Sequence, residues 1–500
     1  MDAFLAHKRL VAADARRAQP IAGFHHRYLS RRPLVLCCYH LAGDPGAPLG
    51  FVYGTDPDSP QVIVVGEPRN RDLRFRALER LANDFNDYFG GFRTRQTVLD
   101  RNGGQKFRRD GTELMLADEA PQLVVPNSAT ADWLGLLARS TVWLQTEGEF
   151  AVQPSLPVFG AHLTYLTSRR KLPGSANILA ATELLDLHWT TGQTDFEDAN
   201  LATLLSWIDE RWLDPEWFNP WVPPPDGCEA ARLAESLPSA GPVPDPVWDT
   251  TTLEPLVEAF NSERRVGRQT DRTVTRLRAA VLAALTPAWI ATWRAIGLVR
   301  ALPEAASVSV RWDSDRWSWT NHLHRAEAGR AFFRRHLTAI QSARLLGDTE
   351  DAAAGLAAAM AIDDPLVMAR SIATGDAVEG LVIERDDSHF EMGPSGRRRV
   401  SRPIIRMAAD DPLIQPIGTS MIWAADTRVR GEIHRLPEQP GDPVEIKIIG
   451  GMRNGALPNV GDRGCFTTLV PPTRYGDTLP ETVPWTHTLP QPVEVEGDVA

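Results

Sequence analysis

Three residues near the C-terminal end of the chain have the types and spacing of a metal-assisted hydrolytic site. Glu445 and Lys447 alternate along the apolar run from Val444 to Ile449, and Asp426 precedes Glu445 by 19 residues. Two such carboxylates can hold a divalent ion, and an ammonium group beside them can orient the attacking water. A second kind of chemistry, anion binding, is offered by arginine. Arg397, Arg398 and Arg399 follow the turn Gly393-Pro394-Ser395-Gly396, with Arg402 and Arg406 close behind. Forked guanidinium donors at a hairpin tip suit phosphate oxygens.

The Asp…Glu-x-Lys pattern is the core of the restriction-endonuclease-like nucleases, where a helix follows the lysine strand. Here Gly450-Gly451-Met452-Arg453-Asn454-Gly455 follows, with Pro458 beyond. That composition does not start a helix readily. The run before it supports a structural reading. Arg428, Arg430, Glu432 and His434 alternate with Val429, Gly431 and Ile433, so one face of that strand is polar. If it pairs with Val444–Ile449, Glu445 and Lys447 become cross-strand salt partners. This reading is preferred, and a nuclease using Asp426, Glu445 and Lys447 is the alternative.

Between residues 93 and 109 lie Arg93, Arg95, Arg101, Lys106, Arg108 and Arg109, against one acidic residue, Asp100. This loop is the better anion-site candidate of the N-terminal half. The upstream arginines Arg76 and Arg80 share a helix face with Asp84 and Asp87 and read as salt-laced surface. The histidines of Asp186-Leu187-His188-Trp189 and Trp319-Thr320-Asn321-His322-Leu323-His324 are expected to cap or pack. The sequence shows no nucleophile or metal placed beside them.

Only four of the 53 basic residues are lysines, and none follows a glycine, so no phosphate-binding P-loop is present. Gly-x-Ser-x-Gly, His-Glu-x-x-His and Gly-x-Gly-x-x-Gly are absent as well. Cys37, Cys38, Cys228 and Cys465 are too scattered for a disulfide framework. Cys37, Cys38 and His40, with His25 and His26 upstream, lack the Cys-x2–4-Cys spacing of structural zinc. Neither a metal nor a cofactor is expected. A net charge of −11 argues against a nucleic-acid coat and leaves room only for local contact. The mean hydropathy of −0.24 and the polar start from Met1 to Arg17 point to a cytoplasmic protein without a membrane span.

These residues must be positioned by more than one unit, since 500 residues exceed a single core. The expected class is multidomain α+β. An N-terminal α+β domain (1–214) opens with the β meander Leu34–Leu41, Leu49–Tyr53 and Gln61–Gly66. A helix follows from Asp72 to Phe89, with Leu78, Leu81, Ala82, Phe85 and Phe89 on one face. Further buried segments are placed at Leu123–Val125, Thr141–Gln145 and Val158–Leu166. Helices are placed at Ala131–Arg139, Ala176–Leu187 and Asp198–Trp212. A proline-rich linker (215–250) leads to a helical region (251–363). A small all-β barrel or sandwich (364–471) comes next, with six strands at Ala377–Glu384, Arg399–Met407, Gly418–Ala424, Arg428–Leu436, Val444–Ile449 and Arg463–Val470. An acidic tail (472–500) is expected to be flexible.

With no catalytic signature in view, the leading expectation is a non-catalytic accessory or scaffold subunit. It would act with a nucleic-acid-processing enzyme such as a helicase or nuclease, or with that enzyme's substrate. Its partners would be a protein, for instance an ATPase or nuclease, and locally nucleic acid. An enzyme whose residues converge from distant positions is the remaining alternative.

Overall fold

A computed structural model describes residues 3–101, 103–109, 111–213, 226–329, 337–393, 398–439 and 441–471. The N-terminal meander forms as the turn clusters predict: β1 (Leu34–Leu41), β2 (Asp44–Gly54) and β3 (Gln61–Val64) pair antiparallel. The helix α1 (Arg71–Gly90) then buries Leu78, Leu81, Ala82, Phe85 and Phe89, and Asn70 caps it by accepting from the Leu73 amide. β4 (Leu123–Val125) and β5 (Ile178–Ala180) join in parallel, giving the order β3-β2-β1-β4-β5. Every residue of β1 is buried. A central strand covered on both faces needs a continuous apolar run instead of alternation, which is why Cys37 and Cys38 sit side by side in it, fully buried.

Two helices, α2 (Ser128–Thr141) and α3 (Ser155–Arg170), connect β4 to β5. The expected buried segment at Val158–Leu166 is therefore the middle of α3, and Thr141–Gln145 is the end of α2 with its following turn. The helix expected over Ala176–Leu187 divides into β5 and a short helix, Ala181–Asp186. The open edge of β4 captures Ile178–Ala180, and tertiary pairing overrides a weak local preference.

The later helices do not build a core of their own. α4 (Asp271–Arg300) lays Leu277, Val281, Leu285 and Trp289 into the same hydrophobic cluster as β1 and α1. α5 (Val308–Glu327) adds Trp312, Trp319 and Leu323 to it. Asp315 of α5, 1% exposed, accepts from Arg169 at 2.6 Å, the Ser175 hydroxyl at 3.0 Å and the Ala176 amide at 2.7 Å. By length and hydropathy α4 qualifies as a membrane span, and 56% of its apolar window is buried inside the fold. The helix is apolar because it covers the sheet.

Of the proline-rich stretch, residues 214–225 lie outside the described residues. The remainder is ordered: Gly227–Ala234 is a helix packed against the helix Leu201–Ile208, and the stretch around Gly241 and Pro242 lies on the sheet. The carbonyl of Pro242 accepts from the His40 amide at 2.8 Å, and that of Gly241 accepts from Asn127 Nδ2 at 2.8 Å. Gly241 has φ +94°, and a Cβ there would lie 2.3 Å from the Cys38 carbonyl oxygen. At Gly241-Pro242 the backbone is seated on the end of β1.

α6 (Ala339–Asp363) and α7 (Pro365–Ala373) meet at a bend of 110°. Asp364 occupies the bend, fully buried. Its carboxylate caps α7 through the Leu366 amide at 2.9 Å. It also takes the Gly23 amide at 2.7 Å, the Phe24 amide at 3.1 Å and His26 Nε2 at 3.1 Å.

Beyond α7 the chain closes a six-stranded antiparallel barrel. Its strands are β6 (Ala377–Asp386), β7 (Ile404–Ala409), β8 (Ser420–Trp423), β9 (Asp426–Arg435), β10 (Val444–Gly450) and β11 (Arg463–Thr467). The order is β6-β7-β10-β9-β8-β11, with β11 returning to β6. Alternate residues, among them Val429, Ile433, Val444, Ile446 and Ile448, fill the interior. The six expected strands all form. The expected run Arg399–Met407 is interrupted at Arg402-Pro403, and Arg399–Ser401 pairs with Phe390–Met392 as a separate hairpin. Proline lacks the amide a continuous ladder needs.

Candidate nucleic-acid interface

The basic segment after α1 folds into an arm with two leaves. Its stem is the antiparallel pair Arg95–Thr97 with Met115–Ala117. At Val98 and Leu114 the ladder opens and Lys106 enters between them. The Lys106 amide donates to the Val98 carbonyl, and the Leu114 amide donates to the Lys106 carbonyl, both at 2.9 Å. One leaf closes through the Leu99–Gln105 bridge and the other through Phe107–Glu113. Gly103 at φ +80° and Gly111 at φ +83° make the reversals, a region that glycine enters without steric cost.

The arm's charges are unevenly spent. Arg95 pairs with Glu327 of α5, and Arg108 donates to Asn321 at 3.0 Å, so these two anchor the arm to α5. Asp100 turns its carboxylate onto the Gly104 amide at 2.8 Å. Arg93, Arg101, Lys106 and Arg109 are exposed. Beside them stand Leu99, 56% exposed, and Phe107, 60% exposed. Sequence reading singled out the cations and passed over these two. The available signal was the placing of single apolar residues inside a basic, glycine-punctuated loop.

The barrel's arginine cluster is more nearly neutralised. Arg397 lies outside the described residues. Arg398 is exposed, and Arg399 stacks over the Phe390 ring at 5.0 Å. Arg402 donates to the Ile449 carbonyl at 2.7 Å and stands 3.8 Å from Glu391. Arg406 bridges Glu384 and Glu445 at 2.5 and 3.0 Å.

The hydrolytic trio does not assemble. Lys447 faces Glu432 across β9 and β10, with Nζ 2.6 Å from one carboxylate and 2.7 Å from that of Glu391. These partners hold the lysine above its ordinary pKa, Glu391 first and Glu432 second. Glu445 is opposite Arg435, whereas Asp426 opens β9 nine residues earlier. The two carboxylates therefore stand at opposite ends of β9. Asp426 instead holds Arg428 at 2.7 Å and the Ala456 amide at 2.8 Å, and the guanidinium keeps its carboxyl well below the usual range. Asp426 is thus not brought beside Glu445 and Lys447. The cross-strand salt partners are the arrangement found.

The histidines also resolve into packing. His188 Nδ1 donates to the Leu184 carbonyl at 2.7 Å, and Nε2 accepts from the His26 amide at 3.3 Å. Asp186 instead lines a cavity of about 360 Å3 with Arg9, Trp189, Asp195 and Asp198. Burial and then Asp198 push its carboxyl up to about 7. His162 and His322 bond to each other in the core, with Tyr165 stacked on His322 at 4.4 Å. Cys37, Cys38 and His40 stay in β1, and among the described residues no three His, Cys, Asp or Glu side chains form a metal-holding group.

No protein-family model, curated protein or solved structure matches the chain.

Proposed function

We propose that the chain is a non-catalytic accessory subunit of the cytoplasm that holds nucleic acid for a processing enzyme, an ATPase such as a helicase or a nuclease. The arm at 93–117 is its nucleic-acid contact, with Arg398 and Arg399 of the barrel hairpin as a second, weaker one. One observation carries this reading. In a chain of net charge −11, the arm sets four exposed cations on a glycine-turned scaffold, while the Asp100 carboxylate is engaged by the Gly104 amide and Glu113 stands exposed opposite Phe107. Local cations of this kind bind phosphates by releasing counterions.

The test is fluorescence anisotropy of labelled oligonucleotides across a salt series. Wild type should bind at low salt, with affinity falling steeply as salt rises. Changing Arg101, Lys106 and Arg109 together to Ala should flatten the log–log slope by about 0.7 to 0.9 for each phosphate that is no longer neutralised. Binding with an unchanged slope would remove the arm from the reading. Absence of binding would leave a purely protein–protein scaffold.

A further inference from the structure

Resting on the proposed function, we infer that the arm takes single-stranded nucleic acid, with Phe107 as the platform on which a base stacks. Phe107 stands at the root of the second leaf, bridged through its backbone to Glu113 and 60% exposed. The arm's stem and turns are held by backbone hydrogen bonds and by the Arg95–Glu327 and Arg108–Asn321 contacts, so the fold of the arm does not depend on burying that ring. Leu99 is left outside in the same way at the root of the first leaf. Arg101, Lys106 and Arg109 stand on the two leaves and at their junction, all exposed.

The ring decides between strand and duplex. A duplex keeps its base faces stacked inside and offers the arm phosphates alone, for which cations suffice. A single strand offers phosphates and open base faces together, and an exposed aromatic ring on an arm that also carries exposed cations meets both. Stacking on one ring is indifferent to sequence, because every base has a π face. The occupant is therefore a single strand held without sequence choice.

The experiment compares an unstructured polypyrimidine strand with a duplex of equal length, using the full chain. Wild type should prefer the strand. Phe107→Ala should weaken strand binding about 5- to 100-fold and leave both duplex affinity and the salt slope unchanged. Phe107→Trp should restore strand binding. Thermal unfolding of both variants should match wild type, since the ring is exposed. Equal affinity for strand and duplex, or strand binding indifferent to Phe107→Ala, overturns the single-strand inference and leaves the arm as a phosphate contact. Absence of binding to either probe overturns the proposed function along with it.

Discussion

Lys447 and Glu432 stand directly opposite each other on neighbouring barrel strands, the ammonium nitrogen 2.6 Å from the carboxylate. Glu391, reaching in from the Phe390–Arg399 hairpin, completes a cation held between two acids.

Replacing Lys447 by Met should therefore act on the barrel and not on any cleavage chemistry. The expected cost is roughly 1 kcal/mol, the scale of a partly exposed ion pair. The Glu391 carboxyl, held low chiefly by Lys447, should rise toward its ordinary value in an NMR titration. Wild type and variant should both leave DNA and RNA intact with Mg2+ or Mn2+. Metal-dependent cutting that disappears in the variant would reinstate the nuclease reading.

Asp315→Ala should destabilise the protein by about 3 kcal/mol in urea unfolding. It strands Arg169 and removes the acceptor of the Ser175 hydroxyl and Ala176 amide, and breaking one side of a buried pair is costly. Asp315→Asn, which keeps an acceptor oxygen, should lose less. Equal losses would show that packing of the side chain, and not its hydrogen bonds, matters there.

Two glycines separate conformational strain from collision. Gly103→Ala places a side chain at φ +80° in open space, whereas Gly241→Ala adds a clash with the Cys38 carbonyl to a comparable φ. The first should cost about 1 kcal/mol and the second about 2 kcal/mol or more. In native wild type, residues 236–243 should resist limited proteolysis, because their carbonyls accept from His40 and Asn127. Early cleavage there would contradict the seated conformation.

Stability should fall on acidification through the buried imidazole pair. Burial lowers His162 to about 4 and His322 to about 3 from an ordinary 6.5. Both states are neutral above pH 6.5, so the pair's contribution is fully present there. Below it the unfolded chain takes up protons that the folded core refuses, and stability is lost toward pH 4. Asp186, pushed up to about 7, acts in the opposite direction over the same window. The informative quantity is thus the difference between wild type and His322→Gln, whose stabilities should converge as pH drops from 7 to 4. A pH-independent gap would remove titration from the account.

The barrel was legible because its strands carry period-two alternation bounded by glycine and proline, from Val429 and Ile433 to Val444 and Ile446. The helix over Leu78, Leu81, Phe85 and Phe89 was legible for the same reason at helical spacing. Periodicity states that a face is apolar and is silent on what covers it. Val281 and Trp289 therefore gave no sign that α4 shares a core with β1. The arm's cations were legible from composition. Its two leaves were not, because they rest on single bridges and on glycines at positive φ. Asp364 gave no signal at all, since Gly23, Phe24 and His26 lie more than 300 residues away along the chain.

That carboxylate sets how the barrel can move. α7 leads into β6, so swinging the barrel about the bend tilts Asp364 away from the chain at Gly23–His26. Three hydrogen bonds at 2.7 to 3.1 Å would have to part together, leaving the carboxylate only the Leu366 amide of α7. Partial opening costs nearly as much as full opening, and a packed joint of this kind has discrete positions instead of a continuous range. One buried side chain thus ties the approach to the barrel to the chain at Gly23–His26, at the far end of the sequence.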